Sequence, residues 1–256
     1  MLLIAVGFLV GFALGLTGAG GSIVAVPLLM LALDLRPQDA MGISLGAVSA
    51  AAMVGVLLRR RQQQPPIWSA ALGLAVTGMC TAPAGRWLAN QIDERVIVIL
   101  FSILATYLAI RMWRKASAEE IAPTGAGGTG FPEGLVQRAL FLVSGAGLGL
   151  LTGLFGVGGG FLIVPFLILY AGLQMEKAIS TSLLVIALVG SSGYLYHVFT
   201  SPGQDVSALS IIGVGSVIGI FAGTALCSRL SGPKLQRIFS GFVMVIMTFM
   251  LVKTLA

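Results

Sequence analysis

Residues 2–33 form an uncharged run that is too long to be one membrane-spanning helix. The run contains no Asp, Glu, Lys, Arg or His over 32 positions. A single helix of that length would measure about 48 Å, whereas the hydrocarbon core of a bilayer is about 30 Å thick. The chain must therefore turn inside the run, and the stretch GLTGAGGSIVAVP, from Gly15 to Pro27, is the predicted turning point. Glycine adopts backbone angles that are closed to other residues, and Pro27 falls early in the segment that follows.

The composition indicates that this run belongs to a polytopic membrane protein. Hydrophobic residues make up 57% of the 256 residues, charged residues make up 9%, and the mean hydropathy is +1.01. An average soluble domain has about 25% charged residues. Further uncharged runs of spanning or nearly spanning length are 40–58, 66–85, 96–110, 139–171, 178–204, 206–228 and 238–252. The net charge of +6 comes from basic residues scattered at the ends of these runs, which argues against nucleic-acid binding.

The chain is an internal duplication. Residues 7–45 align without a gap to residues 145–183, and 15 of the 39 aligned positions are identical. The identities include Pro27 with Pro165 and most of the two glycine clusters. Because a repeat of this kind defines the architecture, we predict three parts. They are a first membrane repeat at 1–115, a flexible cytoplasmic linker at 116–134 and a second membrane repeat at 135–256.

The two repeats are predicted to have opposite orientations in the membrane. Each begins with a helical hairpin broken at its glycine loop, and three transmembrane helices follow, so an odd number of crossings inverts the second copy. With the triplet Arg59–Arg61 in the cytoplasm, this arrangement places eleven of the fifteen basic residues inside, whereas a parallel arrangement splits them eight to seven. The prediction is an all-α polytopic protein with two inverted-topology repeats in the cytoplasmic (inner) membrane. Both termini are expected outside and the linker in the cytoplasm.

The two glycine clusters form the candidate substrate site. Irregular backbone inside a membrane is tolerated only where protein buries it or where it lines a wet cavity, and two breaks related by inversion are typical of a transporter's central site. A new helix is predicted to begin near Ser22 and near Gly160, and the free N–H groups of a first helical turn attract anions. A mere kink is the alternative. The candidate residues in the loops are Gly18, Gly20, Gly21, Ser22, Gly156, Gly158, Gly159 and Gly160.

Other residues near the clusters have less distinctive patterns. Ser44 and Ser182 are repeat mates, and these two residues and Thr181 are candidates for donating hydrogen bonds to the anion, with satisfaction by their own helices as the alternative. His197 has a proton-coupling and an interfacial interpretation. The two cysteines are expected to be packing residues. Six glycines spaced by four residues are expected to permit close helix packing: Gly7, Gly11, Gly15, Gly145, Gly149 and Gly153.

The motifs GLTGAGGSIVAVPLL and GLFGVGGGFLIVPFL, with AISTSLL after the second copy, resemble those of the TauE/SafE family of sulfite and organosulfonate exporters. The similarity covers nearly the whole chain. It implies that the substrate is sulfite, sulfoacetate or a related sulfur-containing anion, whereas the residues alone indicate only an anion. The first copy departs from the family pattern at Gly42–Ser44, where family members often carry Thr before the serine.

The leading hypothesis is a permease that exports such an oxyanion, held at the bilayer midplane by helix N-termini and glycine loops. No acidic or basic side chain is expected deep in any run and no Walker motif occurs, so we expect neither a proton relay nor ATP hydrolysis, and no cofactor or metal. One alternative is a membrane-embedded enzyme or sulfur relay that uses Cys80 or Cys227, and another is a scaffold whose glycines only pack helices. The expected partners are the small anionic substrate and membrane lipid, with a homo-oligomer left open.

Overall fold

The protein is all-helical in the part of the chain that the structure describes. The computed structural model describes residues 2–18, 21, 25, 28–29, 37–62, 65–89, 91–121, 135–155, 160–200, 206–230 and 232–255. No strand occurs in these ranges, as predicted for an all-α membrane protein. The helices that they contain are α1 (Leu2–Thr17), α2 (Pro37–Arg61), α3 (Trp68–Ala89), α4 (Glu94–Ile121), α5 (Leu135–Phe155), α6 (Gly160–Leu169), α7 (Met175–Thr200), α8 (Val206–Cys227) and α9 (Gly232–Leu255).

Helix boundaries divide both of the long uncharged runs, as predicted. In the first run α1 ends at Thr17, and in the second run α5 ends at Phe155 and α6 begins at Gly160. Among the described residues, three segments are long and apolar enough to cross a membrane, namely Gly42–Arg61, Met175–Ser192 and Ser210–Cys227. The predicted linker begins as helix, because α4 continues to Ile121, and residues 122–134 lie outside the described residues.

The long helices pair between the part of the chain before residue 116 and the part after residue 134. The most extensive contacts join α1 to α8, α3 to α5, α2 to α7 and α4 to α9. Chain order within the sequence duplication makes α1 equivalent to α5, α2 to α7, α3 to α8 and α4 to α9. Exchanging equivalent helices converts the first contact into the second and each of the other two into itself. This pairing is the pattern expected of two copies related by a two-fold axis.

Glycines spaced by four residues bring the backbones of α1 and α8 together. A β-carbon placed on Gly15 would lie 2.7 Å from the Ile220 carbonyl oxygen and 2.9 Å from the Thr224 amide nitrogen. Any larger residue at such a position would push the helices apart, because the obstructing atoms belong to the partner backbone. The same kind of approach occurs at Gly7 and Gly11 on α1 and at Gly215, Gly219 and Gly223 on α8.

Glycines also bring the backbones of α3 and α5 together. Gly149 of α5 faces the backbone of Gly78 in α3, and Gly145 faces Leu74 and Thr77. The helices are also joined by a hydrogen bond from Thr81 Oγ1 to the Ala146 carbonyl oxygen, at 2.8 Å. The predicted packing role is thus confirmed for Gly7, Gly11, Gly15, Gly145 and Gly149.

The helix faces that point away from these contacts carry large apolar side chains. Val143 is 69% exposed and Val245 is 70% exposed. Contiguous exposed apolar surface is unusual for a soluble protein but suits contact with lipid tails. The three tryptophans, Trp68, Trp87 and Trp113, are also exposed.

Candidate anion-binding site

Helix α1 ends in a buried break of the backbone at Gly18. The Gly18 amide donates a hydrogen bond to the Leu14 carbonyl oxygen at 2.7 Å and closes the last turn. The chain then leaves the helix with a φ of 71° at Gly18. Residues with a β-carbon disfavour this left-handed conformation by about 1–2 kcal/mol, which explains the glycine. Gly18 is buried, so the break lies inside the protein.

The break at Gly18 is pressed against α7. A β-carbon on Gly18 would lie 2.6 Å from Ile179 Cγ2 and 2.8 Å from Ile179 Cα. One turn along α7, Ser182 Oγ lies 3.0 Å from the Gly18 carbonyl oxygen and 2.8 Å from the Ile179 carbonyl oxygen. Since a hydroxyl has one proton, Ser182 donates to one of these carbonyls at a time. In this conformation the Ser182 hydroxyl is therefore hydrogen-bonded to a backbone carbonyl.

The Thr181 hydroxyl is also occupied by backbone groups. Its Oγ1 donates to the Lys177 carbonyl oxygen at 2.7 Å and accepts a hydrogen bond from the Ile67 amide at 3.1 Å. Ile67 immediately precedes α3, so Thr181 fixes the start of that helix. The Thr181 hydroxyl proton is donated within its own helix. This arrangement was the alternative to the predicted hydrogen bond to the anion.

Ser44, the repeat mate of Ser182, is buried but lies far from it. Gly190 of α7 packs against Ser49 of α2, and Gly55 packs against Leu183, so the two helices run antiparallel. In this register Ser44 lies level with about residue 194 of α7, about twelve residues and about 18 Å from Ser182 along the helix axis. One small oxyanion cannot contact both hydroxyls. The structure therefore brings Gly18, Thr181 and Ser182 together and leaves Ser44 apart.

The chain has reversed direction by Gly21. A β-carbon on Gly21 would lie 2.7 Å from Leu14 Cβ and 2.8 Å from the Val10 carbonyl oxygen, both in α1. In the second repeat, α6 begins at Gly160 as predicted, and the first amides of this ten-residue helix have no acceptor within it. The remaining candidates lie outside the described residues; they are Gly20, Ser22, Gly156, Gly158 and Gly159.

A buried arginine lies beside the end of α1, which the sequence did not predict. Arg59 was expected to be a cytoplasmic charge, yet its side chain is only 2% exposed. Its Nη2 lies 3.3 Å from the Gly15 carbonyl oxygen and 2.7 Å from Cys227 Sγ. Its Nε has no hydrogen-bond partner in the described part of the chain. Arg59 directly follows the uncharged run 40–58, and its burial is what the sequence did not predict.

The sequence of the arginine triplet does not distinguish the buried Arg59 from its two neighbours. Arg60 and Arg61 are exposed, and all three residues occupy the last turn of α2, where basic residues serve as topology signals. Helical spacing is the sequence signal that could have indicated the burial of Arg59. Ala52, Val56 and Arg59 recur at intervals of four and three residues along the buried face of α2.

The cysteines do not form a common site. Cys227 is buried against Arg59, whereas Cys80 is exposed on α3, so the expected packing role is wrong for Cys80. No group of three His, Cys, Asp or Glu residues within the described ranges could hold a metal ion. The side chain of His197, near the end of α7, lies outside what the structure describes.

Comparison with known proteins identifies the kind of molecule to which this chain is similar. The family model described as sulfite exporter TauE/SafE matches residues 3–250. The chain is 33% identical over 248 residues to a probable membrane transporter protein of Xylella fastidiosa (strain 9a5c), covering 96% of this chain and 92% of that protein. A probable membrane transporter protein of Haemophilus influenzae is 26% identical, with 99% of this chain and 98% of that protein covered. No solved structure matches.

These similarities overturn the enzyme and scaffold alternatives. The family and the relatives carry the names of transporters, and no relative named above is described as an enzyme. The chain is therefore assigned to membrane transport rather than to sulfur relay chemistry at Cys80 or Cys227.

Proposed function

The chain belongs to the sulfite exporter TauE/SafE family and is a membrane transporter, and we propose that it exports a small sulfur-containing oxyanion such as sulfite, sulfoacetate or a related organosulfonate. The protein lies in the cytoplasmic (inner) membrane in this proposal. The family description supports the sulfur chemistry, and the geometry of the backbone breaks supports an anion.

The observation that carries the proposal is the buried break at Gly18. Non-helical backbone inside a membrane protein is maintained where it is buried in protein or lines a wet cavity, because unpaired N–H and C=O groups cost several kcal/mol in hydrocarbon. At Gly18 the chain leaves α1 within the protein, next to α7, and it has reversed by Gly21. Glycines leave their amides open to close approach by a small oxyanion.

The proposed contacts come from the two glycine loops. The amides after Gly18, up to Ser22, supply one set, because the Gly18 amide is already bonded to the Leu14 carbonyl oxygen. Residues Gly156–Gly160 supply the other set, with the helix starting at Gly160 adding amides from its first turn. The distance between Ser44 and Ser182 gives the serines a different role, because they cannot share one small anion. We assign Ser182 to holding the Gly18 carbonyl, and Ser44 to the equivalent task in the other repeat. Thr181 anchors the start of α3.

The proposal includes an orientation of the protein in the membrane and a driving force for export. The distribution of basic residues favours both termini outside and residues 116–134 in the cytoplasm. The antiparallel packing of α2 against its repeat mate α7 supports the inverted repeats that this orientation requires. An inside-negative potential favours outward movement of an anion by about 2.3 kcal/mol per charge per 100 mV. A facilitated exporter needs no further energy source.

The test compares Gly18→Ala with Gly172→Ala in proteoliposomes loaded with sodium sulfite. Gly172 has a φ of 66°, so both substitutions introduce a similar backbone strain, but a β-carbon on Gly172 would meet no described residue within 4 Å. We expect Gly18→Ala to lower sulfite efflux about tenfold or more, since it adds overpacking at the loop. Gly172→Ala is expected to retain normal efflux.

The thermal stability of each purified variant separates loss of function from loss of folding. Equal efflux by both variants would overturn the assignment of the Gly18 loop. Thermal stabilisation of the wild-type protein by sulfite, thiosulfate or sulfonates, compared with chloride, identifies the substrate class. The absence of any such stabilisation, together with the absence of sulfite efflux, would overturn the proposed substrate.

A further inference from the structure

We propose that Arg59 and Thr224 form a separate oxyanion-binding site beside the break at Gly18. This site would bind the anion on the side of the membrane where the Arg59–Arg61 triplet lies. This inference rests on the proposed function, because it takes the transported species to be an oxyanion. It assigns a binding role to two side chains that lie outside the glycine loops.

Arg59 and Thr224 are gathered around the same two residues. Arg59 Nη2 contacts the Gly15 carbonyl oxygen at 3.3 Å, and a β-carbon on Gly15 would lie 2.9 Å from the Thr224 amide nitrogen. Arg59 also contacts Cys227 Sγ at 2.7 Å, and Cys227 lies three residues after Thr224 on α8. The ends of α1, α2 and α8 therefore meet here, and Arg59 and Thr224 are both buried at this junction.

Both side chains keep an unused donor in the protein interior. Arg59 is 2% exposed and Thr224 is 1% exposed. Neither Arg59 Nε nor Thr224 Oγ1 has a hydrogen-bond partner among the residues that the structure describes. Buried polar groups are almost always paired, and a buried charge without a partner is strongly unfavourable. A ligand that accepts hydrogen bonds from both groups accounts for their presence.

The partners that Arg59 does have are weak ones for a guanidinium. They are one peptide carbonyl and one thiol, and no carboxylate among the described residues forms an ion pair with Arg59. Among the described residues, the buried charge therefore has no direct counter-ion.

The chemistry of the free donors suits an oxyanion. A guanidinium presents several N–H groups in one plane and binds carboxylate, phosphate and similar oxyanions through charge-assisted hydrogen bonds. A threonine hydroxyl adds a neutral donor. In the absence of substrate, the partial negative charge at the end of α1 stabilises Arg59 through the Gly15 carbonyl. An oxyanion carries a full charge and displaces this weaker acceptor.

The level of Arg59 in the bundle places this site next to the glycine loop. In the antiparallel register of α2 and α7, Arg59 lies level with about residue 179. Ile179 is the residue against which Gly18 packs. An anion bound by Arg59 and Thr224 would therefore lie at about the level of Gly18 in the bundle.

Thr224→Val is the most informative substitution, because it removes only the hydroxyl and leaves the charge and shape. Ser216→Ala is its matched control, since Ser216 lies on the same helix, is fully buried and also has a hydroxyl without a partner among the described residues, but is about two turns from Thr224 and about three turns from Cys227. We expect Thr224→Val to raise the sulfite concentration for half-maximal efflux about fivefold, and Ser216→Ala to leave it unchanged. Both variants are expected to remain folded.

Arg59→Gln and Arg59→Lys test the charge, with Arg60→Gln as the exposed control. Half-maximal thermal stabilisation by sodium sulfite is expected to need about tenfold more sulfite in Arg59→Gln, with an intermediate value in Arg59→Lys. A purely structural arginine would lower the stability of the empty protein and leave the sulfite dependence unaltered. That result, with an unaltered Thr224→Val, overturns this inference alone. Failure of the wild-type protein to bind or export sulfite overturns the proposed function itself.

Discussion

Ser182 of α7 lies within hydrogen-bonding distance of the Gly18 carbonyl oxygen, 3.0 Å away and 164 positions distant in sequence. The contact joins the backbone break of the first repeat to a helix of the second. The first repeat therefore does not complete its own glycine loop, and a movement of one repeat against the other would act directly on the candidate site.

Replacement of Ser182 by alanine tests this connection. We expect Ser182→Ala to lower the free energy of unfolding by about 1 kcal/mol, because the Gly18 carbonyl loses a buried donor. Sulfite efflux should fall as the loop loses its support. Ser228→Ala is the control, since the exposed Ser228 hydroxyl donates only to Ala225, within its own segment. Thermal unfolding and proteoliposome efflux measure the two effects, and equal behaviour of both variants would contradict the assigned role.

The glycine contact between α3 and α5 predicts a sharp difference between neighbouring positions. Gly149→Ala places a methyl group against the Gly78 backbone and is expected to destabilise the protein by about 1–3 kcal/mol. Gly147→Ala, two residues earlier on the same helix, meets nothing within 4 Å and is expected to be neutral or slightly stabilising. Melting temperatures of the two variants in detergent check the prediction, which fails if their order is reversed.

The hydrogen bond from Thr81 to Ala146 predicts a smaller effect. Thr81→Val removes this 2.8 Å contact between α3 and α5 and is expected to cost about 0.6 kcal/mol, the average for such bonds within membranes. Thr248→Val is the comparison, because the exposed Thr248 hydroxyl bonds only to Met244 in its own helix. A chemical denaturation series provides the measurement. A larger loss in Thr248→Val than in Thr81→Val would count against the interhelical bond.

The charge distribution predicts how efflux depends on the membrane potential. No Asp or Glu is buried among the described residues, so the described part of the chain offers no buried carboxylate relay. We expect a potential of 100 mV, negative inside, to shift the equilibrium distribution of a singly charged anion outward about fiftyfold. Potassium gradients with valinomycin set the potential in proteoliposomes. A sulfite distribution that does not depend on the membrane potential would instead indicate an electroneutral exchange of anions.

Several elements of the fold were predictable because they depend on local pattern. The length of the first uncharged run, compared with the thickness of a bilayer, required a turn, and α1 ends at Thr17 beside the glycine cluster. The second copy predicted a helix start near Gly160, and α6 begins there. The spacing of Gly7, Gly11 and Gly15 predicted a packing face, although it did not identify α8 as the partner.

The candidate site was less predictable, because its geometry depends on which helices meet. Ser44 and Ser182 look equivalent in the duplicated motif, yet the antiparallel packing of α2 and α7 separates them by about 18 Å. The three arginines at the end of α2 look alike in sequence, and only Arg59 is buried. The Arg59 side chain contacts Gly15 and Cys227 because α1 and α8 pack around this end of α2.

Hydropathy, glycine spacing and duplication are properties of neighbouring residues, so they specify the membrane-spanning class, the breaks and the small-residue faces without reference to the folded chain. The fate of a buried charge or hydroxyl is settled differently, since desolvation and hydrogen bonding depend on atoms brought together from distant positions. For that reason the contact of Ser182 with Gly18 and the burial of Arg59 beside Thr224 emerge only when the helices are assembled.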